Sequence, residues 1–333
     1  MSDLIDCEKL TGRLRDICRG VDDSGRPVLT PQKRAAYLRL WGHSEAEIKS
    51  QVDQAAPRGL GDRIANGIKR VTRGRVKPCT GCQRRAATLN HYFPADQPPL
   101  QPLSYDGPVR RNLLYHVYPV RGEAWRWNVE QLLERIDLFN GRRIVAIVTD
   151  AATEDAAAVK ALFPAGVEFV ERKNKKRLGE AVTFPELLRR VMDDDPDAIT
   201  FYAHAKGVSR KPSEWPTIQR WADAMYAACL DDIAAVEREL VAHGVAGGYR
   251  RLQKLGKARW YYSGTFYWFR HAHVAGRNWE YVEKKYWGVE SWPGTLFRRE
   301  EAAVLAADDV KSLYQPREWE RIDSLRKQLP TVD

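Results

Sequence analysis

From residue 112 onward, short apolar runs alternate with stretches of helical periodicity. NLLYHVYPV (112–120) predicts a buried strand, after which Trp125, Val129, Leu132, Ile136 and Phe139 recur at helical spacing, with Gly141 as a C-cap candidate. RRIVAIVTD (142–150) predicts a second strand, and the alanine-rich stretch from Glu154 to Leu162 a helix. VEFVERKN (167–174) predicts a third strand, Phe184 to Met192 a helix, and AITFYAHAKG (198–207) a fourth strand. Strands spaced by helices in this order imply parallel crossovers and a sheet covered on both faces, an α/β class with Rossmann-like arrangement. Trp221, Met225, Cys229, Ile233, Val236 and Leu240 then form one apolar stripe and predict a single long helix, with Cys229 packed in the core. The ring-rich run 260–269 predicts one further strand.

Five prolines, Pro94, Pro98, Pro99, Pro102 and Pro108, interrupt the chain ahead of this pattern. Such a run cannot donate a continuous ladder of hydrogen bonds, so residues 94–110 read as an extended linker. It separates a small module (1–93) from an α/β domain (111–310) and a C-terminal helical tail (311–333). Length and composition agree: 333 residues at 44% hydrophobic and 10% aromatic support a sizeable core. Eleven tryptophans leave rings over for a binding surface.

The formal net charge is +10, of which residues 1–108 carry about +6. The N-terminus MSDLIDCEKL has no basic and apolar leader pattern, and no stretch reaches the ~18 apolar residues of a membrane span. Five cysteines, with one C-x-x-C pair, suit a reducing compartment. A cytoplasmic protein is the expectation.

In an open parallel sheet, ligands gather at the carboxyl ends of strands. Those ends here offer Tyr118 and Pro119, Asp150, Asn174, and His204 with Lys206. Asp150 is either the N-cap of the next helix or a ligand group. A lysine is costly to bury unpaired, which favours a site role for Lys206 and its neighbour His204. The basic residues Arg172, Lys173, Lys175, Lys176 and Arg177 form either a solvated loop or an aid to anion binding. Asp195-Pro196-Asp197 is a literal D-x-D, but it precedes the fourth strand and so falls at the wrong end of the sheet for a metal site. Within 261–269, alternation puts Tyr261, Ser263, Thr265, Tyr267 and Phe269 on one face of a strand, while Tyr262, Gly264, Phe266 and Trp268 take the other. Neither G-x-G-x-x-G nor a P-loop occurs.

The pair FYAHAKGVSR (201–210) and YYSGTFYWFR (261–270) resembles sugar-nucleotide glycosyltransferases with a GT-A-like fold. Within them it is similar to a bacterial group, related to rhamnan-synthesis proteins, with the pattern H-T-K-G or H-T-K-K-S followed by H-F-S-G-N-F-W-W-A. The resemblance covers residues 111–310 and implies transfer of a sugar from a nucleotide donor to a hydroxyl acceptor. It places Asp150 near the nucleoside and His204 and Lys206 near the diphosphate, with Asn174 also among the donor-binding residues. Ser263, Gly264, Thr265 and Trp268 would line the sugar and acceptor pocket. The family's glutamate before an aromatic corresponds to Glu290 in YWGVESW (286–292), a catalytic base; His271 and His273 are alternatives. Three departures bear on this reading. H-A-K stands where many GT-A enzymes carry D-x-D, which favours metal-independent transfer while leaving a divalent metal through Glu290 or Asp150 open. Threonine replaces the family's asparagine at 265, and Y-W-F replaces W-W-A, leaving the sugar undefined.

In the N-terminal module, Cys7, Cys18, Cys79 and Cys82 are either free thiols or ligands of one structural zinc. The stretch 59–94 resembles a G-L-G-D…C-x-x-C…L-N-x-x-F-P segment of bacterial and phage proteins. Between Arg63 and Arg85 stand eight basic residues and no acid, a solvated helix or a nucleic-acid contact. Two rival functions follow: a non-catalytic carbohydrate-binding protein on the same fold, and a nucleic-acid-binding protein working through the basic module.

Overall fold

The computed structural model describes residues 19–21, 27–29, 64, 68, 100–192 and 195–328. The chain divides into two compact units, Met1–Pro98 and Pro99–Asp333. In the first, β1 (Arg19–Val21) pairs antiparallel with β2 (Pro27–Leu29). Cys7, Cys18, Cys79 and Cys82 lie outside the described residues, as does the basic run 63–85 apart from Ile64 and Ile68, both helical and exposed.

The second unit is an α/β fold with a mixed sheet flanked by helices. In chain order it contains β3 (Arg111–Val117), α1 (Ala124–Leu133), β4 (Arg143–Thr149), α2 (Ala156–Lys160), β5 (Glu168–Lys173) and α3 (Phe184–Met192). Next come β6 (Ile199–His204), α4 (Trp215–Leu230), α5 (Ile233–Ala242), β7 (Val245–Arg251), β8 (Tyr261–Tyr262) and β9 (Tyr267–Arg270). It closes with α6 (His271–Ala275), α7 (Gly288–Leu296), β10 (Ala302–Ala307) and α8 (Pro316–Gln328). The main sheet runs β10-β7-β9-β6-β3-β4-β5; β9 is antiparallel to both neighbours and the other pairings are parallel, while β8 forms a hairpin with β7.

Alternation along the strands builds two cores. Leu113, Tyr115 and Val117 of β3 pack beneath α1, α4 and α5 on one face, where Trp319 and Ile322 of α8 join them. Leu114 and Tyr202 pack beneath α3 and α7 on the other. The chain leaves β3 toward β4 on one side and reaches β6 on the other, so the strand order reverses between β3 and β6. That is the switch point at which open sheets bind ligands.

Three expectations are corrected, and two strands are added. The stripe from Trp221 to Leu240 belongs to two helices, because the chain turns at Asp231 and Asp232 caps α5 through Ala235 N–H. Gly141 is no helix C-cap. It lies beyond a short turn of helix at Ile136–Leu138, and a side chain there would collide with Asn112 and the Arg111 carbonyl. The ring-rich run is two strands joined by a turn at 263–266, with Thr265 at φ +64° and Gly264 at φ +95°. The turn flips the alternation, so Tyr262 and Tyr267 share one core while Phe266 and Trp268 share the other. Strands β7 and β10, parallel to each other and to β3–β6, were not foreseen.

Candidate functional site

The carboxyl ends of β3, β4 and β5 hold a polar knot. Tyr118 donates its hydroxyl to Asp150 Oδ2 at 2.8 Å, and Asn174 donates its amide to the same oxygen at 2.9 Å. Asp150 Oδ1 accepts from Ala152 N–H at 2.9 Å. Asn174, then Ala152 N–H, then the Tyr118 hydroxyl hold the Asp150 carboxyl below its ordinary pKa. Of the two roles left open for Asp150, helix capping is removed: α2 is capped by Asp155, which accepts from Ala157 N–H. Asp150 closes a turn at the strand end instead. Lys176 is near enough for its charge to act on Asp150, while Arg172 is taken up by Glu186.

At the end of β6 the chain carries its cations. Asn128 of α1 grips the Lys206 backbone twice, accepting from its N–H at 3.0 Å and donating to its carbonyl at 3.0 Å. Tyr226 donates to the Asn128 carbonyl and touches Tyr115 hydroxyl to hydroxyl at 2.7 Å, which fixes the grip from below. Gly207 then turns the chain at φ +79°, a conformation open to glycine without strain. The Lys206 ammonium sits 4.0 Å from the centre of the Trp221 ring, a cation–π contact. No carboxylate lies within ion-pair distance of it among the described residues. Burial pushes its pKa below the ordinary lysine value, while the charges of Glu290 and Glu180 act in the opposite direction. One turn on, the Arg210 guanidinium lies over the Tyr314 ring at 5.3 Å.

Beneath Lys206 lies a buried network that the sequence reading missed. Glu180 accepts from the Tyr202 hydroxyl at 2.9 Å, and its other oxygen is 3.0 Å from His204 Nδ1, at ion-pair distance but without hydrogen-bond alignment. Burial works to raise the Glu180 carboxyl, but His204, His116 and Tyr202 together hold it below its ordinary pKa. His116, the register partner of His204, pairs with Thr183 at 2.9 Å; burial pushes its pKa down to about 4. His204 therefore faces inward onto Glu180 more than outward.

Glu290, in the first turn of α7, accepts from Gly264 N–H through Oε1 at 3.0 Å. Gly264 stands against Trp221 and Met225, so Trp221 joins the Lys206 and Glu290 sides of one cleft. Lys206, Gly264 and Glu290 are thus brought together. Ser263 and Thr265 flank the turn but are buried, and Ser263 N–H is spent on the Tyr249 carbonyl at 2.7 Å. Trp268 does not reach the cleft. It is 0% exposed, stacks on Phe139 and donates to the Cys229 carbonyl at 2.7 Å, so its expected ligand contact is replaced by core packing. His271 and His273 are also remote from it. The first bridges Thr200 and the Asp195 carbonyl at the opposite end of β6, and the second faces the Val241 carbonyl.

Asp195 and Asp197 lie at that opposite end too, with Asp197 3.5 Å from Arg270. Among the described residues no group of three His, Cys, Asp or Glu side chains is arranged to hold a metal ion. Asp150 and Glu290 are tied to separate partners, Asp150 to Tyr118 and Asn174 and Glu290 to Gly264 N–H. No helix of the described residues is long and apolar enough to cross a membrane.

Two of the missed residues left a trace in the sequence. Asn128 is a polar residue on the apolar face of α1, between Trp125 and Leu132, and Arg210 follows Lys206 in the same motif. Glu180, His116 and Tyr314 had no such signal, because only the tertiary fold brings them to the strand ends.

No protein-family model matches the chain, and no curated protein matches it. Among solved structures, it is similar to a protein of Desulfovibrio desulfuricans G20 described, provisionally, as a nucleotide-diphospho-sugar transferase. The similarity covers 66% of this chain and 98% of that one, at 14% identity and a TM-score of 0.34. At that overlap the likeness adds nothing to what the strand order itself establishes: an α/β fold with a mixed sheet between two layers of helices.

Proposed function

We propose that the protein is a glycosyltransferase of GT-A-like fold that moves a sugar from a nucleotide-sugar donor to a hydroxyl acceptor. The observation that carries this reading is Lys206, its backbone held by Asn128 at the switch point and its ammonium set over Trp221 with no ion-pair partner among the described residues, near a carboxylate fixed by Gly264 N–H. A half-buried ammonium without an ion-pair partner is costly unless a ligand supplies the counter-charge. A diphosphate does so.

In this reading Asp150, Tyr118 and Asn174 border the nucleoside, and Lys206 with Arg210 takes up charge on the departing diphosphate. The acceptor oxygen forms its bond to the anomeric carbon as the bond from that carbon to the diphosphate oxygen breaks. The electron pair leaves with the nucleoside diphosphate, and the acceptor proton passes to Glu290. His204 orients through Glu180 and does not itself hold phosphate. Lys206 and Arg210 could carry the diphosphate charge as side-chain cations, the basis for proposing transfer without a metal.

Thermal-shift screening of the full chain against nucleotide sugars, with and without manganese, tests binding; release of nucleoside diphosphate tests turnover. One donor should stabilise the protein, and Glu290→Gln should lower turnover about 10²- to 10⁴-fold while leaving donor binding intact. Donor binding without turnover in the wild type would instead identify a carbohydrate-binding protein. No stabilisation by any donor would overturn the reading.

A further inference from the structure

The large aromatic side chains that stay exposed among the described residues are Tyr286, Trp287 and Tyr314. They come from two short segments, and both segments border the same cleft. Tyr286 and Trp287 immediately precede the first turn of α7, which carries Glu290. Tyr314 precedes α8 and sets its ring edge-on against Trp221, 5.1 Å between centres, the same Trp221 that lies under Lys206.

Tyr286 and Tyr314 both lie near enough to Glu290 for its charge to act on their hydroxyls. Tyr286 is 65% exposed, yet desolvation leads the causes that raise its hydroxyl pKa, followed by the charges of Glu180, Arg210 and Glu290. The Tyr314 hydroxyl is raised for the same reason, with Arg210, Glu214 and Glu290 acting on it after desolvation, and the two hydroxyls are close enough for one to act on the other. Both rings are braced. Tyr286 leans on Gly179, where even a methyl would come within 3.0 Å of the ring, and Tyr314 lies under Arg210.

Two braced phenol rings near one carboxylate suit one chemistry. An aromatic face is electron-rich, so it attracts the slightly positive C–H bonds that line one face of a pyranose ring. The sugar's hydroxyls meanwhile need polar partners at the rim, which the tyrosine hydroxyls, Arg210 and Glu290 supply. A lipid tail would require a continuous apolar trough, and charges interrupt this one. We infer that the acceptor is a saccharide, seated between Tyr286 and Tyr314 with one hydroxyl presented to Glu290. This rests on the glycosyltransferase reading for the direction of transfer, but saccharide binding at the two rings can be measured without it.

The test is saturation-transfer NMR of the full chain with a panel of methyl pyranosides and disaccharides. At least one probe should receive saturation, strongest on the C–H protons of a single ring face. Its affinity should fall about 2- to 10-fold in Tyr286→Ala and again in Tyr314→Ala, and return in Tyr286→Phe. Tyr286 is mostly exposed, so its truncation leaves the fold intact, and a thermal melt of each variant verifies this. Absence of transfer to every probe, or wild-type affinity in Tyr286→Ala, overturns the inference. If a nucleotide sugar still stabilises the protein in that case, only the saccharide acceptor is lost and the transferase reading stands.

Discussion

Replacing Gly264 with alanine imposes two separate costs at the turn that holds Glu290. Its φ of +95° is far from the conformations that L-residues favour, and left-handed backbone costs such a residue roughly 1–2 kcal/mol. The new methyl would also overlap the Met225 sulfur and come 2.9 Å from its terminal methyl and 3.3 Å from Trp221 Cζ2. Overpacking of this kind costs typically about 1–3 kcal/mol. Met225 is flexible and can yield part of the space, whereas Trp221 is held between Lys206 and Tyr314. The sum is a loss of roughly 2–5 kcal/mol, toward its lower end where Met225 yields. Urea unfolding followed by far-UV circular dichroism and tryptophan fluorescence measures it, with the midpoint expected to fall at constant slope. Adding Met225→Ala removes the steric part alone, so the double variant should be about 1–2 kcal/mol more stable than additivity predicts. A Gly264→Ala loss under about 1 kcal/mol, or strict additivity with Met225→Ala, would refute this geometry for the turn.

Two further outcomes follow from the buried polar groups. His116 is held neutral, with a pKa of about 4 against 6.5 for a free histidine, so between those values the unfolded chain binds the extra proton and stability rises with pH. Acidification from pH 6.5 to 4 should remove up to about 3 kcal/mol through this group; urea melts across that window should show a flatter dependence in His116→Gln, and an unchanged slope would contradict the assignment. Trp268→Phe should cost about 1–3 kcal/mol by orphaning the Cys229 carbonyl, yet leave donor binding by thermal shift unchanged; a selective loss of ligand affinity would return Trp268 to the site.

Strands β3, β4 and β6 were legible because a strand buried on both faces is apolar nearly throughout, and the edge strand β5 from the short apolar run that opens it; their bounds fall within a few residues of the expected runs. β7 was hidden by its glycines. Gly247 carries the Tyr262 ring, where an added Cβ would lie 2.6 Å from Cγ, so the position that looks weak for a strand is required by packing. β10, AAVLAA, has the composition of a helix and becomes a strand only because β7 offers it a parallel edge. The helix stripe misled because Cys229 and Ile233 remain in phase across the break at Asp231 and Asp232, where only capping chemistry reveals the stop. At the cleft, Lys206 and Gly264 were legible from the strand-end rule and the lone glycine. The roles of Ser263 and Trp268 were not, because alternation cannot register a turn with two consecutive residues at positive φ.

The most direct measurement is calorimetric titration of the nucleoside diphosphate of the stabilising donor into wild type, Lys206→Ala and Lys206→Arg across a pH series. Loss of a charge-assisted contact should weaken binding to Lys206→Ala about 10- to 100-fold. Because the Lys206 pKa is lowered, wild-type affinity should decline at an alkaline pH below the ordinary lysine value, and Lys206→Arg should abolish that decline. Equal affinity and identical pH profiles in all three proteins would contradict a diphosphate site at the end of β6.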